Sequence, residues 1–409
     1  MEEPIAMDDK KSNFRWLVLV LLFLNIFIAF LTINCLPPLF KEIGEEIPLT
    51  KSDMGMAMGV LTLASLFFAL IGGGISDKIG SRWAAGVSFL IIAGAGAARA
   101  TVGSAYGLLV YMFLMGVGAA TLGPNIPKAI GMWFPPKELA LANGICMLGM
   151  GMAGVVGMGT AAGILSPILG GWRNVMVALG VFTFIAGLLW ITLFRDRIIT
   201  GTSEKKEQGV IDNFKKVFRV KYVWWLSAFY GLNMVTLMSV VALLPPSLSE
   251  RGMTNAKAGV FVAIMMGMTC VFNILGGLLS DWVGKRKPFI FISSIVFGIC
   301  VFTFSLSTGL PLIITLIIGG VALGTIGPVF MTIPVEIKEI GPSLAGTAMG
   351  LIFMIGNTLG FIGPVVSGKL MDLTGAQWPG FLFMGVSSII GAFLILPLRE
   401  TGQKRKKER

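Results

Sequence analysis

About twelve long apolar stretches, separated by short polar breaks, constrain this 409-residue chain more than any other feature. A helix needs roughly 20 apolar residues to cross the hydrocarbon core of a bilayer. The stretches lie at residues 16–40, 54–75, 83–98, 107–133, 140–168, 174–194, 222–245, 258–280, 288–306, 311–334, 345–366 and 379–398. They are continuously apolar rather than alternating, which favours helices over the strands of an outer-membrane barrel. The sequence therefore predicts an all-α integral membrane protein with about twelve transmembrane helices.

The composition leaves little room for a soluble domain. Hydrophobic residues make up 55% of the chain, charged residues 13%, and the mean hydropathy is +0.85, beyond the usual range of soluble proteins. Of the 32 lysines and arginines, 24 fall in segments on the side of the N-terminus, seven on the opposite side, and Lys128 inside a span. Because cytoplasmic loops carry the basic excess, we expect a multi-pass protein of the cytoplasmic (inner) membrane with both termini in the cytoplasm.

The same basic excess excludes other classes of function. A net charge of +11 placed along the inner membrane face matches anionic lipid headgroups, so we do not expect nucleic acid as a partner. The four cysteines lie in apolar spans without paired spacing, and the chain has no histidine. These features indicate neither a metal site nor a cofactor. No pairing of nucleophile and base and no phosphate-binding loop is present, which argues against an enzyme.

Two sequence motifs recur at one offset. GGISDKIGSR at residues 73–82 returns as GLLSDWVGKR at 277–286, and GVGAATLGP at 116–124 returns as GVALGTIGP at 320–328. Both pairs are 204 residues apart, which six helices per half would produce while keeping the membrane orientation. The sequence therefore predicts two pseudo-symmetric bundles of six helices each.

The predicted domains follow from this repeat. They are a cytoplasmic N-terminal tail (1–15), an N-terminal six-helix bundle (16–194), a cytoplasmic linker (195–221), a C-terminal six-helix bundle (222–398) and a basic cytoplasmic tail (399–409). The linker is polar and basic, and we expect a surface helix around DNFKKVFR within it.

The recurring loop carries a resemblance to a known family. In the first copy the matching positions are Gly73, Asp77, Lys78, Gly80 and Arg82, and in the second they are Gly277, Asp281, Gly284, Lys285 and Arg286. Ser81 and Trp282 depart from the pattern. With these motifs the chain resembles the major facilitator superfamily of secondary transporters along nearly its whole length. The resemblance implies alternating access between the two bundles, with one chain as the working unit.

The loop charges also have a physical role that the sequence suggests. A carboxylate suits a helix N-terminus, and an arginine can pair with a nearby acid such as Glu138. The resemblance implies that such a cytoplasmic latch stabilises the outward-open state and must break for the inward-open one. The alternative is that these charges set only topology and loop geometry.

Polar residues inside the apolar spans are the candidates for substrate binding. Following the resemblance, the first, fourth, seventh and tenth helices line the path, with two further amides on flanking helices. The candidates are Asn25, Asn34, Thr121, Asn125, Lys128, Tyr230, Asn233, Thr325 and Thr332, together with Asn273 and Asn357. The alternative for any single asparagine is a hydrogen bond between helices.

Lys128 determines the expected charge of the substrate. Thr121, Asn125 and Lys128 are spaced four and three residues apart, so they share one helix face. A cation beside amides and hydroxyls, without a carboxylate in the predicted spans, suits an anion. The alternative for Lys128 is snorkelling to the membrane interface, and we expect Arg99, at the end of its span, to anchor there.

The sequence therefore predicts a transporter of a small anionic solute, most plainly an organic carboxylate. A neutral or sugar-like solute, drug or lipid efflux, and a non-transporting sensor of the same fold stay open. The fifth span ends in a partial antiporter signature at residues 167–171, but Ser166 replaces its glycine. Met112 stands near the place of an arginine found in many proton-coupled members, and both departures weigh against exchange of drugs for protons.

Overall fold

The computed structural model is built of helices throughout the part that it describes, which is residues 14–135, 138–196, 214–337, 339–398 and 400–401. We number fourteen helices: α1 Phe14–Asn34, α2 Leu36–Glu46, α3 Lys51–Ala98, α4 Ala105–Ala120, α5 Leu122–Trp133, α6 Leu139–Thr160, α7 Ser166–Leu169, α8 Trp172–Leu193, α9 Lys221–Glu250, α10 Asn255–Val283, α11 Lys287–Phe304, α12 Gly309–Glu336, α13 Gly341–Thr374 and α14 Trp378–Leu394. A short helix at residues 214–218 lies where the surface helix of the linker was expected.

Most of these helices belong to apolar segments of membrane length. Within the described residues, ten helical segments are long and apolar enough to span a bilayer, and α14 is a shorter apolar helix. With the part of α3 before its break at Gly80, these segments agree with the expected number of about twelve helices. The predicted all-α membrane fold is confirmed.

Glycine and proline explain where the helices break. Gly80 interrupts α3 with φ 83° and ψ 163°, a conformation open to glycine but strained for other residues. Pro37 and Pro38 lack N–H groups, so α1 stops at Asn34 and α2 starts after Cys35. A π-helical turn at Ala161–Leu165 precedes Pro167 in the fifth span, where the proline again removes a backbone donor.

The chain divides into two compact units. Unit 1 contains Met1–Leu49, Val60–Thr202 and Met253–Val260, and unit 2 contains Thr50–Gly59, Ser203–Gly252 and Phe261–Arg409. The start of α3 groups with unit 2 because the Asp372 carboxylate accepts the backbone N–H groups of Lys51 and Ser52, at 3.1 and 2.9 Å. The predicted domain boundaries, including those of the linker at 195–221, stay a prediction.

Each unit repeats the same internal contact at the offset seen in the sequence. In unit 1 the Ser65 hydroxyl donates to the Gly116 carbonyl at 3.0 Å. In unit 2 Thr269 donates to the Gly320 carbonyl at 3.3 Å, and both residues are displaced by 204 positions. A Cβ atom at either glycine would overlap a backbone carbonyl of the facing helix. The absence of a side chain is therefore what permits the close approach of these helices.

A second repeated contact caps a helix in each unit. The Asp196 carboxylate accepts the N–H groups of Ser81 and Arg82 at 3.0 and 3.2 Å, where α3 restarts after Gly80. The Glu400 carboxylate accepts the N–H groups of Arg286 and Lys287 at 2.7 and 3.3 Å, at the start of α11. Both acids supply acceptors for N–H groups that have no partner within their own helix.

Candidate functional site

The predicted polar face of the fourth span lies against α3 within unit 1. The Lys128 ammonium on α5 donates to the Ser76 carbonyl at 2.8 Å and to the Ser76 hydroxyl at 3.3 Å. Ser76 lies one turn before the break of α3 at Gly80. A cation is favoured near the carbonyls that end a helix. Lys128 is half-buried, so it stabilises the end of this helical segment while staying partly accessible.

Asn125 connects Lys128 to a buried hydroxyl network. Its side-chain oxygen accepts from Ser76 and Ser81 at 2.5 and 3.2 Å, and its amide nitrogen donates to the Thr121 carbonyl at 2.9 Å. Thr121 in turn shares a hydrogen bond with Ser88. Asn125 is only 1% exposed. The Asn125 amide thus forms hydrogen bonds between helices, which was the alternative to substrate binding for any single asparagine.

Arg99 is a second cation in unit 1, and its side chain is buried within the protein rather than exposed as an interface anchor would be. The side chain is 0% exposed. Its guanidinium donates to the Thr32 carbonyl at 2.7 Å and to the Gly96 carbonyl at 3.2 Å, and it lies 3.7 Å from the Met112 sulfur. Thr32 stands just before the break between α1 and α2, so Arg99 supplies a donor beside that break.

The candidate amides of the first span bond to their own helix. The side-chain nitrogens of Asn25 and Asn34 each donate to the carbonyl four residues earlier, at 2.9 and 2.8 Å. The Asn25 side-chain oxygen is buried and has no hydrogen-bond partner among the described residues. Since a buried unpaired acceptor is costly, Asn25 remains the better candidate of the two for a ligand contact.

One carboxylate of the first span was missed by sequence reasoning. The span continues through α2, and the half-buried Glu42 accepts from the Ser166 hydroxyl at 2.8 Å and from the Trp172 N–H at 2.8 Å. Ser166 is the residue that departs from the antiporter signature, and its hydroxyl is what binds Glu42. No local feature of the sequence signals that this acid turns toward the fifth span.

In unit 2 the structure separates the candidates into bonded and unbonded groups. Asn233 donates to the Phe229 carbonyl at 3.0 Å and accepts from Ser388 at 3.3 Å. Thr325 and Thr332 bond to carbonyls of their own helix at 2.8 and 2.9 Å.

The other three candidates of unit 2 are unbonded. Tyr230, Asn273 and Asn357 make no side-chain hydrogen bond among the residues that the structure describes. Their polar groups are therefore the ones left for a ligand in this unit.

The first copy of the predicted latch is only partly described. The side chains of Asp77 and Lys78, and the surroundings of Gly73, lie outside the described residues. Arg82 donates to the Ile191 carbonyl at 2.6 Å. Glu138 pairs with Arg15 at 3.1 Å rather than with Arg82, because α1 begins beside the loop that carries the acid.

The second copy of the latch is a compact charge cluster. The Arg286 guanidinium contacts Asp281 at 2.5 Å and Glu336 at 3.0 Å, and its side chain is only 11% exposed. Gly284 adopts a positive φ of 69° at the loop. Burial lowers the pKa of Arg286, but the hydrogen bonds and charges of Glu336 and Asp281 outweigh burial, so its pKa is raised above the usual arginine value. Glu336, at the end of α12, was not predicted as a partner.

The fold and its internal repeat define a polytopic membrane protein with two related helical units, which is the architecture of secondary transporters. The sequence profile of the Major Facilitator Superfamily matches the chain at residues 22–362 and again at 249–409. The chain belongs to this superfamily, and the predicted family is confirmed.

The chain is similar to transporters along nearly their whole length, and it shares its fold with solved structures. It is 22% identical over 395 residues to a hexuronate transporter of Bacillus subtilis (strain 168), covering 93% of both chains. It is 24% identical over 393 residues to a nitrite extrusion protein of the same organism, covering 94% of both. The crystal structure of the nucleoside transporter NupG aligns with a TM-score of 0.74 and 16% identity, covering 93% of this chain and 98% of that one. This last similarity concerns the fold alone.

Proposed function

We propose that the protein is a secondary transporter that carries a small anion across the cytoplasmic membrane by alternating access, with both termini in the cytoplasm and one chain as the working unit. The observation that carries the proposal is Lys128, a half-buried cation within an apolar span. Charged groups inside the membrane are costly and are usually retained for function. The similarity to full-length relatives named for hexuronate and nitrite supports an anionic solute.

Lys128 nevertheless has a second role that a test must separate from substrate binding. Its ammonium contacts the Ser76 carbonyl at 2.8 Å, which stabilises the end of a helical segment even without a ligand. If that were its whole role, removing the charge would affect stability and leave substrate preference unchanged. If Lys128 attracts an anion, the loss must depend on the charge of the solute.

The experiment compares uptake of glucuronate and its neutral amide by proteoliposomes containing the wild type, Lys128→Gln or Lys128→Arg. We expect Lys128→Gln to lower the uptake of glucuronate by a factor that corresponds to about 2–5 kcal/mol, the order found on breaking a buried charge contact. Uptake of the neutral amide should stay nearly unchanged. Lys128→Arg should be intermediate because it keeps the charge but changes its geometry. Equal losses for both solutes, or none, would reject an anion site at Lys128 and favour a neutral solute or a drug.

A further inference from the structure

Four asparagines in the spans share a bonding pattern that Asn357 and the exposed Asn273 lack. Asn25, Asn34, Asn125 and Asn233 each donate their side-chain nitrogen to the carbonyl four residues earlier. Asn357, half-buried on α13, makes no hydrogen bond with any described residue through its side chain. Its donor and its acceptor are therefore both unused by the described fold. The amide is half-buried rather than sealed from water, so a solute that reaches α13 can donate to it and accept from it.

Tyr230 lies next to this segment of α13 and also leaves its polar atom unused. Its ring stacks on Phe330 with centroids 5.4 Å apart and an interplanar angle of 13°, and it contacts the Phe353 ring at 5.1 Å. A Cβ atom at Gly356, directly before Asn357, would overlap the Tyr230 ring. The ring is thus fixed by packing, while its hydroxyl bonds to no described residue.

The chemistry of these two groups distinguishes between kinds of anion. A tyrosine hydroxyl and an asparagine amide can each both donate and accept hydrogen bonds. A sugar hydroxyl also donates and accepts, so it can satisfy both groups. Nitrite and similar inorganic oxyanions only accept, so they could use the Asn357 nitrogen but not its oxygen. The half-buried rings of Tyr230 and Phe353 add the apolar surface that small-molecule sites usually combine with a few polar groups.

We propose that Tyr230 and Asn357 form a hydroxyl-binding subsite, and that the transported anion is a polyhydroxylated carboxylate of the hexuronate type. This inference rests on the proposed transport of an anion and names its substrate class.

The test measures binding of three probes to the purified full chain in detergent: glucuronate, cyclohexanecarboxylate and nitrite. Cyclohexanecarboxylate keeps a six-membered ring and the carboxylate but has no hydroxyl group. Tyr230→Phe removes only the hydroxyl and keeps the ring stacked on Phe330. Asn357→Leu removes both amide functions at similar volume. Tyr222→Phe is the matched control, because it makes the same change two turns earlier in α9.

We expect Tyr230→Phe and Asn357→Leu each to raise the dissociation constant of glucuronate roughly 3- to 10-fold, the effect of losing one neutral hydrogen bond. Both variants should bind cyclohexanecarboxylate and nitrite as the wild type does, and Tyr222→Phe should bind all three probes unchanged. Equal losses for all three probes in the two variants, or no loss for glucuronate, would overturn the subsite. So would a wild type that binds nitrite or cyclohexanecarboxylate in preference to glucuronate, although anion transport would stand. A wild type that binds none of the three anions would instead refute the proposed function itself.

Discussion

Arg286 offers a quantitative test of the charge cluster in unit 2, because its two carboxylate partners differ in exposure. The Arg286 side chain is 11% exposed, Glu336 is 24% exposed and Asp281 is 55% exposed. Two guanidinium nitrogens of Arg286 share one Glu336 oxygen at 3.0 and 3.2 Å. Asp281 is contacted by a single nitrogen at 2.5 Å. The two pairs should therefore contribute unequally to folding.

The burial of each pair sets the expected size of its contribution. The contact with Glu336 is mostly shielded from solvent and is made through two donors, so we expect about 1.5–3 kcal/mol, as for hydrogen bonds to charged groups. Asp281 is mostly exposed, and exposed ion pairs contribute about 0–1 kcal/mol. Because the pKa of Arg286 is raised, its contribution is present below the usual arginine pKa and would be lost only as the pH rises through the higher folded-state value.

Two double-mutant cycles measure these terms separately. One combines Arg286→Ala with Glu336→Gln, the other combines Arg286→Ala with Asp281→Asn, and the free energy of unfolding is determined by denaturant titration in detergent. The coupling to Glu336 should exceed the coupling to Asp281 by at least about 1 kcal/mol. Raising the salt from about 0.05 to about 0.5 M should weaken the coupling to Asp281 more, because screening acts on exposed charges. A coupling to Glu336 no larger than that to Asp281 would refute the reasoning from burial.

Two further predictions concern packing and topology. Gly116→Ala and Gly320→Ala should each lower stability by about 1–3 kcal/mol, because the added methyl overlaps a facing carbonyl. Gly267→Ala, where no atom lies within 4 Å of the new methyl, should be neutral or slightly stabilising, and similar melting temperatures for all three would contradict this. A cysteine placed near Glu250 should react with an impermeant reagent added outside cells and one near Ser203 should not, whereas the opposite pattern would reverse the predicted orientation.

The sequence predicts the spans and the repeat well because both depend on local information. Apolar length identifies a membrane helix without knowledge of its neighbours, and the 204-residue offset is visible in two short motifs. The break at Gly80 falls within the first motif, at a glycine that matches the pattern of the family. The contact from Thr269 to Gly320 then repeats that of Ser65 and Gly116.

The missing information concerns partners that are distant in sequence. Arg99 was expected to anchor at the interface, yet it is buried and donates a hydrogen bond to a carbonyl 67 residues away. Asn125 was a candidate for the substrate path, but hydroxyls of Ser76 and Ser81 occupy its oxygen. Tyr230 and Asn357 were candidates on the same grounds as Asn233. Only packing shows that the first two leave their polar groups unused.

The two helix caps at Asp196 and Glu400 bear on how the loops of this protein can be exchanged. In each unit the acid lies 114 residues after its arginine, Arg82 or Arg286. The aspartate binds that arginine and the residue before it, whereas the longer glutamate binds the arginine and the residue after it. The longer acid of unit 2 therefore caps N–H groups that lie one residue later in the motif than those capped by the shorter acid of unit 1. In a chimera that exchanges one of these loops between the halves, the acid that caps the loop would have to be exchanged with it. The loop and its acid are therefore one unit for loop exchange.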